Sequence, residues 1–148
     1  MNAKLLLVPV DFSPTGEAAL DAALTLARGA GGRLLVVYAR EPHTLVDGRD
    51  YLYAVPDLND DEMIIKLRSL VPGNAGVPCD VRLLHGAPVD AIVATAETEH
   101  VDMIVIGTHG RRGVGRVLMG SVAEGVMRRA KCPVLAVKVH TPLAVPTA

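Results

Sequence analysis

Apolar residues along this chain come in short dense runs separated by stretches with helical spacing. Residues 4–10, KLLLVPV, form a continuous apolar segment closed by Asp11. A run without polar alternation is what a strand buried on both faces of a parallel sheet presents. Comparable runs recur in RLLVVYA (33–39), CDVRLLH (79–85), VDMIVIG (101–107) and PVLAVKV (133–139). Between them the period lengthens. Ser13 and Pro14 open a first helix, because serine is a favoured N-cap and proline is pre-organised at the first helical position. Leu20, Ala23, Leu24 and Ala27 then make one apolar stripe, which Gly29, Gly31 and Gly32 stop. DLNDDEMIIKLRSLV (57–71) places acids first and Lys and Arg later, as the helix dipole favours. PVDAIVATAETEH (88–100) and SVAEGVMRRA (121–130) complete an expected set of five strands and four helices. Residues 41–56 hold no sustained period and read as a long loop, and the tail HTPLAVPTA (140–148) reads as loosely ordered.

Strands alternating with helices imply right-handed crossovers and a parallel sheet covered on both faces, a doubly wound α/β fold of the Rossmann-like, three-layer kind. Two strand orders suit five strands, 3-2-1-4-5 and 2-1-3-4-5, and the pattern does not choose between them. In either, ligands bind beyond the carboxyl ends of strands where the order reverses. For 3-2-1-4-5 that crevice lies between strands one and four and sets Asp11 opposite Gly107.

Composition narrows the field. The 148 residues suit a single domain spanning 1–148, long enough to bury a core without metals or disulfides. Half the residues are hydrophobic, yet no run reaches bilayer length, and no signal peptide is visible, so a soluble cytoplasmic protein with no membrane partner is expected. Cys79 and Cys132 lack C-x-x-C spacing and read as small buried hydrophobes. A formal charge of −1, one Phe, three Tyr and no Trp supply neither the basic field nor the stacking platforms that nucleic acid requires.

The chemistry concentrates in GTHGRRGVGRVLMGS (107–121), which follows strand four and carries five glycines and three arginines. Glycines let a ligand approach the backbone, successive N–H groups form an anion-binding concavity, and a helix starting at Ser121 adds free donors and partial positive charge. Together these favour phosphate. The structural alternative is that Ser121-x-x-Glu124 is a capping box serving its own helix and that Arg111, Arg112 and Arg116 are a solvated rim. Asp11 could anchor a base or ribose, or merely begin the turn into helix one; Ser13 is read as a cap. The five histidines (43, 85, 100, 109, 140) show no metal-ligand spacing, and only His109 lies in the loop. There is no P-loop, no G-x-G-x-x-G after strand one and no G-x-S-x-G, which disfavours dinucleotide carriers and hydrolases with a covalent intermediate. No catalytic residue and no protein-held metal is assigned.

Gly107-x-x-Gly110, nine residues, then Gly120-Ser121 resembles the G-2x-G-9x-G-[S/T] ATP-binding signature of the universal stress protein family. VPVDFSPTGEAAL, LLHGAPVDAIVATAETEHVDMIVIGTHGRRG and GSVAEGVMRRAKCPVLAVK extend the likeness over about residues 3–139. The resemblance implies the 3-2-1-4-5 order and an adenine nucleotide in the crevice. It implies Pro9, Val10 and Asp11 at the base and ribose, and Ala39 supplying backbone contacts to adenine where many relatives carry Val. Ile106, Gly107, Gly110, Gly120, Ser121 and Val122 would hold ribose and phosphates, joined by His109 and Arg111, with Gly113 and Gly115 giving the loop freedom. ATP is the expected ligand, with ADP or AMP as alternatives and Mg2+ or Mn2+ on the phosphates.

The resemblance also implies a homodimer through the last strand, Val134 to Val139. The leading functional expectation is a nucleotide-sensing binding module in stress response, read by an unknown protein partner. The alternatives are a slow ATPase or nucleotide-transferring enzyme on the same fold, and a purely structural dimerisation protein.

Overall fold

The computed structural model describes residues 4–41, 58–108 and 119–139. Among the described residues nine elements alternate: β1 (Leu5–Pro9), α1 (Pro14–Ala30), β2 (Arg33–Arg40), α2 (Asp60–Ser69), β3 (Cys79–His85), α3 (Pro88–Thr98), β4 (Met103–Gly107), α4 (Ser121–Arg129) and β5 (Val134–Val137). The strands form one parallel sheet in the order β3-β2-β1-β4-β5, so of the two arrangements open to the pattern this chain takes the one that reverses direction beside β1. The expected 41–56 loop and the 140–148 tail lie outside the described residues, except for exposed Glu41.

The absence of polar alternation in the central strands follows from two separate cores, one on each face of the sheet. On one face Leu6, Val8, Leu34, Val36 and Val105 meet Leu20 and Leu24 of α1 and Met63 and Leu67 of α2. On the other, Leu7, Leu35, Val37, Ile104 and Ile106 meet Ile92 of α3 and Val126 of α4. Each such side chain removed from water contributes about 1.5–3 kcal/mol, which offsets the conformational entropy lost by the chain. At the edge, β3 alternates between half-buried and exposed positions from Cys79 to Leu83 before Leu84 enters the second core, because a strand with a neighbour on one side only is less fully covered.

Local signals set the helix ends. Ser13 caps α1, its hydroxyl accepting from the Gly16 N–H at 3.3 Å, with Pro14 at the first position. Gly29 stays helical, and α1 ends at Gly31, whose φ of 64° is left-handed. Helix α2 starts later than its acidic lead suggests. Asn59 and Glu62 close a reciprocal capping box at 2.9 and 3.0 Å, and the helix begins with Asp60. At the end of α3, Val101 N–H donates to Ala96 O at 3.1 Å and His100 N–H to Glu97 O at 3.3 Å, the bonding pattern of a Schellman motif. His100 fills its left-handed position, at φ 52°, where glycine is the residue of least strain.

Two glycines bring elements into near contact. A Cβ on Gly125 would lie 2.8 Å from Val89 Cγ2, so α3 and α4 touch there. On Gly107 it would lie 2.7 Å from both the carbonyl carbon and oxygen of Thr15, with backbone rather than a movable side chain in the way.

Two outcomes follow for stability. Gly107→Ala must push α1 off the end of β4 and should cost about 1–3 kcal/mol, seen as a lowered Tm in calorimetry. His100→Gly should add about 1 kcal/mol by relieving the left-handed backbone, seen as a higher midpoint in urea; an unchanged midpoint would mean that His100 carries no strain.

Candidate functional site

The reversal in strand order leaves an opening at the carboxyl ends of β1 and β4, where ligands of open α/β sheets sit. The strands arrive there in step. Leu7 pairs with Ile104 and Pro9 with Val37. Carried onward at the same register, Asp11 comes level with Ala39 of β2 on one side and with Thr108, just past β4, on the other. Gly107 is level with Val10, one residue short of the alignment with Asp11 expected from the order alone.

The turn from β1 into α1 is tightly built. Asp11 Oδ1 accepts from the Ser13 N–H at 3.0 Å and from the Ser13 hydroxyl, and Ser13 Oγ lies 3.2 Å from Thr15 Oγ1. Phe12 adopts φ 64°, a sparsely populated conformation for a bulky side chain, at a cost of order 1–3 kcal/mol. Its ring tilts against Tyr38 at 5.1 Å between centroids, and Lys66 Nζ lies 4.4 Å above it. The strained residue turns the chain sharply enough to fold the Asp11 carboxylate back onto the start of α1. Asp11 therefore does begin the turn into helix one, whatever else it binds.

Opposite this turn stands α4. Its N-cap is Gly120, and no side chain caps it. The capping box between Ser121 and Glu124 is not formed: Ser121 is the first helical residue and exposed, while Glu124 pairs with Arg128 at 2.7 Å. Glycine at the cap leaves the first N–H groups of α4 without a side-chain acceptor of the capping kind. Gly120 N–H donates to Thr108 O, and Thr108 N–H donates to Val137 O at 2.9 Å, so the helix start is fastened to the ends of β4 and β5.

The structure thus gathers Pro9, Val10, Asp11, Ala39, Ile106, Gly107, Gly120, Ser121 and Val122 at one edge of the sheet. Their roles differ from what their positions in the chain suggest. Ile106 is buried in the core beneath α3 and α4, and Ala39 and Val122 pack against it, so much of their side-chain surface is spent on the fold. The need for glycine at 107 is set by Thr15. His109, Gly110 and Arg111 lie outside the described residues, as do Arg112, Gly113, Gly115 and Arg116.

Sequence reasoning passes over Thr108. Among the described residues the buried polar side chains are Ser13, Thr15 and Thr108, and all three converge on this edge. Thr108 Oγ1 has no hydrogen-bond partner. An unsatisfied buried hydroxyl costs about 1–3 kcal/mol, and its only sequence signal is a hydroxyl residue directly after the glycine that ends β4. The two thiols lie away from the site, at the amino ends of β3 and β5; each is raised from its ordinary pKa, mainly by desolvation, and packs against a core. No helix among the described residues is long and apolar enough to cross a membrane.

Comparison with known proteins agrees with this architecture. A universal stress protein of Thermus aquaticus is 37% identical over 141 residues, covering 91% of this chain and 98% of that one. A solved universal stress protein from Archaeoglobus fulgidus in complex with dAMP superposes with a TM-score of 0.65 at 28% identity, covering 93% of this chain and all (100%) of the other. A universal stress protein in complex with cAMP superposes at 0.67 with 26% identity, covering 93% and 98%. The model of the universal stress protein family matches residues 2–138. With the fold, the strand order and nearly the whole sequence in agreement, this chain belongs to the universal stress protein family.

Proposed function

We propose that the protein binds an adenine nucleotide at the carboxyl edge of β1, β2 and β4 and works as a nucleotide-sensing regulatory module in stress response. The observation that carries this reading is the glycine-capped start of α4, fastened to Thr108 and exposed beside the strand reversal. Such a terminus favours an anion through its N–H groups and its dipole. Relatives of the same fold are seen in complex with cAMP and dAMP, both of which join an adenine to a phosphorylated sugar.

In this reading ATP is the primary ligand, with ADP and AMP as weaker alternatives. Pro9, Val10 and Asp11 border the base and ribose, and the Ala39 backbone meets the adenine. Ile106 and Gly107 form the floor, while Gly120, Ser121 and Val122 present N–H groups to the phosphates. His109, Gly110 and Arg111 complete the glycine signature on the phosphate side. Among the described residues no group of three or more His, Cys, Asp or Glu is placed to hold a metal ion. A divalent cation, Mg2+ or Mn2+, would therefore enter on the phosphates themselves, neutralising their charge.

Binding is favoured over turnover because the Asp11 carboxylate accepts from the Ser13 N–H and hydroxyl and so serves the turn into α1. Slow ATP hydrolysis is the second reading. It requires multiple turnover faster than nucleotide exchange, abolished by changing Asp11 or Ser121. The signal of the bound state would be read by a protein partner, with a homodimer formed along Val134 to Val139 as the platform. In that stretch Leu135 and Val139 are exposed, and an edge strand offers unpaired backbone to a second copy.

Denaturing the purified protein and identifying released nucleotide by mass should give near-equimolar ATP. No nucleotide, together with no binding of added Mg-ATP, would reject the reading. A folded Gly110→Val variant should lose retention at least tenfold, the weight of about 1.4 kcal/mol. Sedimentation at high concentration should show a dimer, and monomer alone would reject the β5 interface.

A further inference from the structure

The end of the sheet away from the strand reversal holds a cleft of about 400 Å³, within the range of small-molecule sites. It opens where β1 and β2 begin, between the last turn of α1 and the segment that enters β3. Val77 and Pro78 give it an apolar wall, and Gly31 and Gly76, at φ 64° and 69°, put no side chain into it.

Its charge is one-sided. Among the described residues Lys4, Arg28 and Arg33 line the cleft and no carboxylate does. Elsewhere Arg40, Arg82, Arg128, Arg129 and Lys131 each pair with an acid. Here Lys4 Nζ donates to Ala30 O at 3.1 Å and Arg28 Nε to Ala75 O at 2.8 Å, neutral partners that fix both head groups without cancelling their charge. Asp80 and Asp102 share this end of the sheet, yet neither answers them. Asp102 accepts from the Lys4 and Leu5 N–H groups at 3.0 and 2.9 Å. Asp80 is in register with Leu35, which enters the core on the face opposite α1.

The end of α1 does not consume these cations either. The Gly31 and Gly32 N–H groups donate to Ala27 O, and Lys4 gives one bond to Ala30 O. An ammonium carries three donors and a guanidinium five. Most of them are left for a ligand.

We propose that this cleft is a second ligand site, where Lys4 and Arg28 hold a phosphate group, either free or carried by a small molecule. A guanidinium meets phosphate oxygens two at a time, and an ammonium adds a point charge. Both head groups are anchored before the ligand arrives, so less side-chain freedom is lost on binding. Exposed Arg33 adds charge at the rim, and the wall of Val77 and Pro78 accommodates the carbon body of an ester. The site lies at the opposite ends of β1 and β2 from the nucleotide edge, and it stands or falls independently of the nucleotide reading.

Amide NMR titration with inorganic phosphate and with glycerol phosphate, each against sodium chloride at matched ionic strength, tests the site. The amides of Gly31, Gly32 and Gly76 should shift saturably with phosphate and not with chloride. Lys4→Gln and Arg28→Gln should each weaken binding about tenfold, the weight of a hydrogen bond to a charged group, and Lys4→Arg should retain it. Tighter binding of glycerol phosphate identifies an ester as the ligand and equal binding identifies free phosphate; both support the site. No saturation at those glycines in wild type, an equal response to chloride, or a response at Gly120 and Ser121 instead overturns it. Unaltered affinity in the folded Gln variants also overturns it, because Lys4 and Arg28 would then serve only the end of α1. The wild-type titration decides by itself if a variant fails to fold.

Discussion

Gly107 lies against the backbone of Thr15 so closely that a single carbon on it would collide at 2.7 Å, and the geometry of the whole carboxyl edge depends on that approach. It presses the first turn of α1 onto the end of β4, two elements separated by most of the chain. Once they meet, the chain leaving β1 has little room, and Phe12 takes a left-handed backbone to turn within it. Asp11 is folded back onto Ser13 as a result. A larger residue at 107 would open this corner and loosen each feature built on it.

The corner also collects the polar side chains that the interior otherwise excludes. The two cores are built almost wholly of aliphatic side chains, yet Ser13, Thr15 and Thr108 are buried together at one edge. Ser13 and Thr15 are within hydrogen-bonding distance of each other, and Asp11 joins them. Thr108 is left out of that network. Strain at Phe12 and an unsatisfied hydroxyl at Thr108 both oppose folding, and both sit where the sheet reverses. A fold tolerates such costs where surrounding packing over-determines them, and they concentrate where ligands bind.

The start of α4 contributes the other half of the site. A serine or aspartate at position 120 would satisfy the helix with its own side chain, whereas glycine leaves the terminus to be completed from outside. Gly120 also brings its N–H to the Thr108 carbonyl without a side chain intervening. The terminus is therefore both anchored and open, which suits recognition of an anion better than activation of water.

Much of this was legible along the chain. Unbroken apolar runs mark strands buried on both faces, since a polar residue at either face would lose its hydration, and the Ser13–Pro14 pair marks a helix start by stereochemistry that needs no distant partner. The glycine spacing from Gly107 to Ser121 identifies the family and the edge of the sheet that matters. By itself, then, the sequence determined the number and type of elements, the sheet's parallel class and the segment carrying the site. The tertiary structure decided what depends on contacts between distant residues. Asn59 caps α2 just ahead of its acidic first turn, and Ser121 does not cap α4 because the helix places Gly120 at the cap and Ser121 one residue inside it. Gly107 is required by Thr15, ninety-two positions away by residue number (107 − 15). Thr108, an unremarkable letter after a glycine, becomes a buried hydroxyl without a partner only when β5 and α4 close over both of its backbone groups. Local propensities act through neighbours a few residues apart, whereas burial and hydrogen-bond satisfaction are properties of the assembled fold.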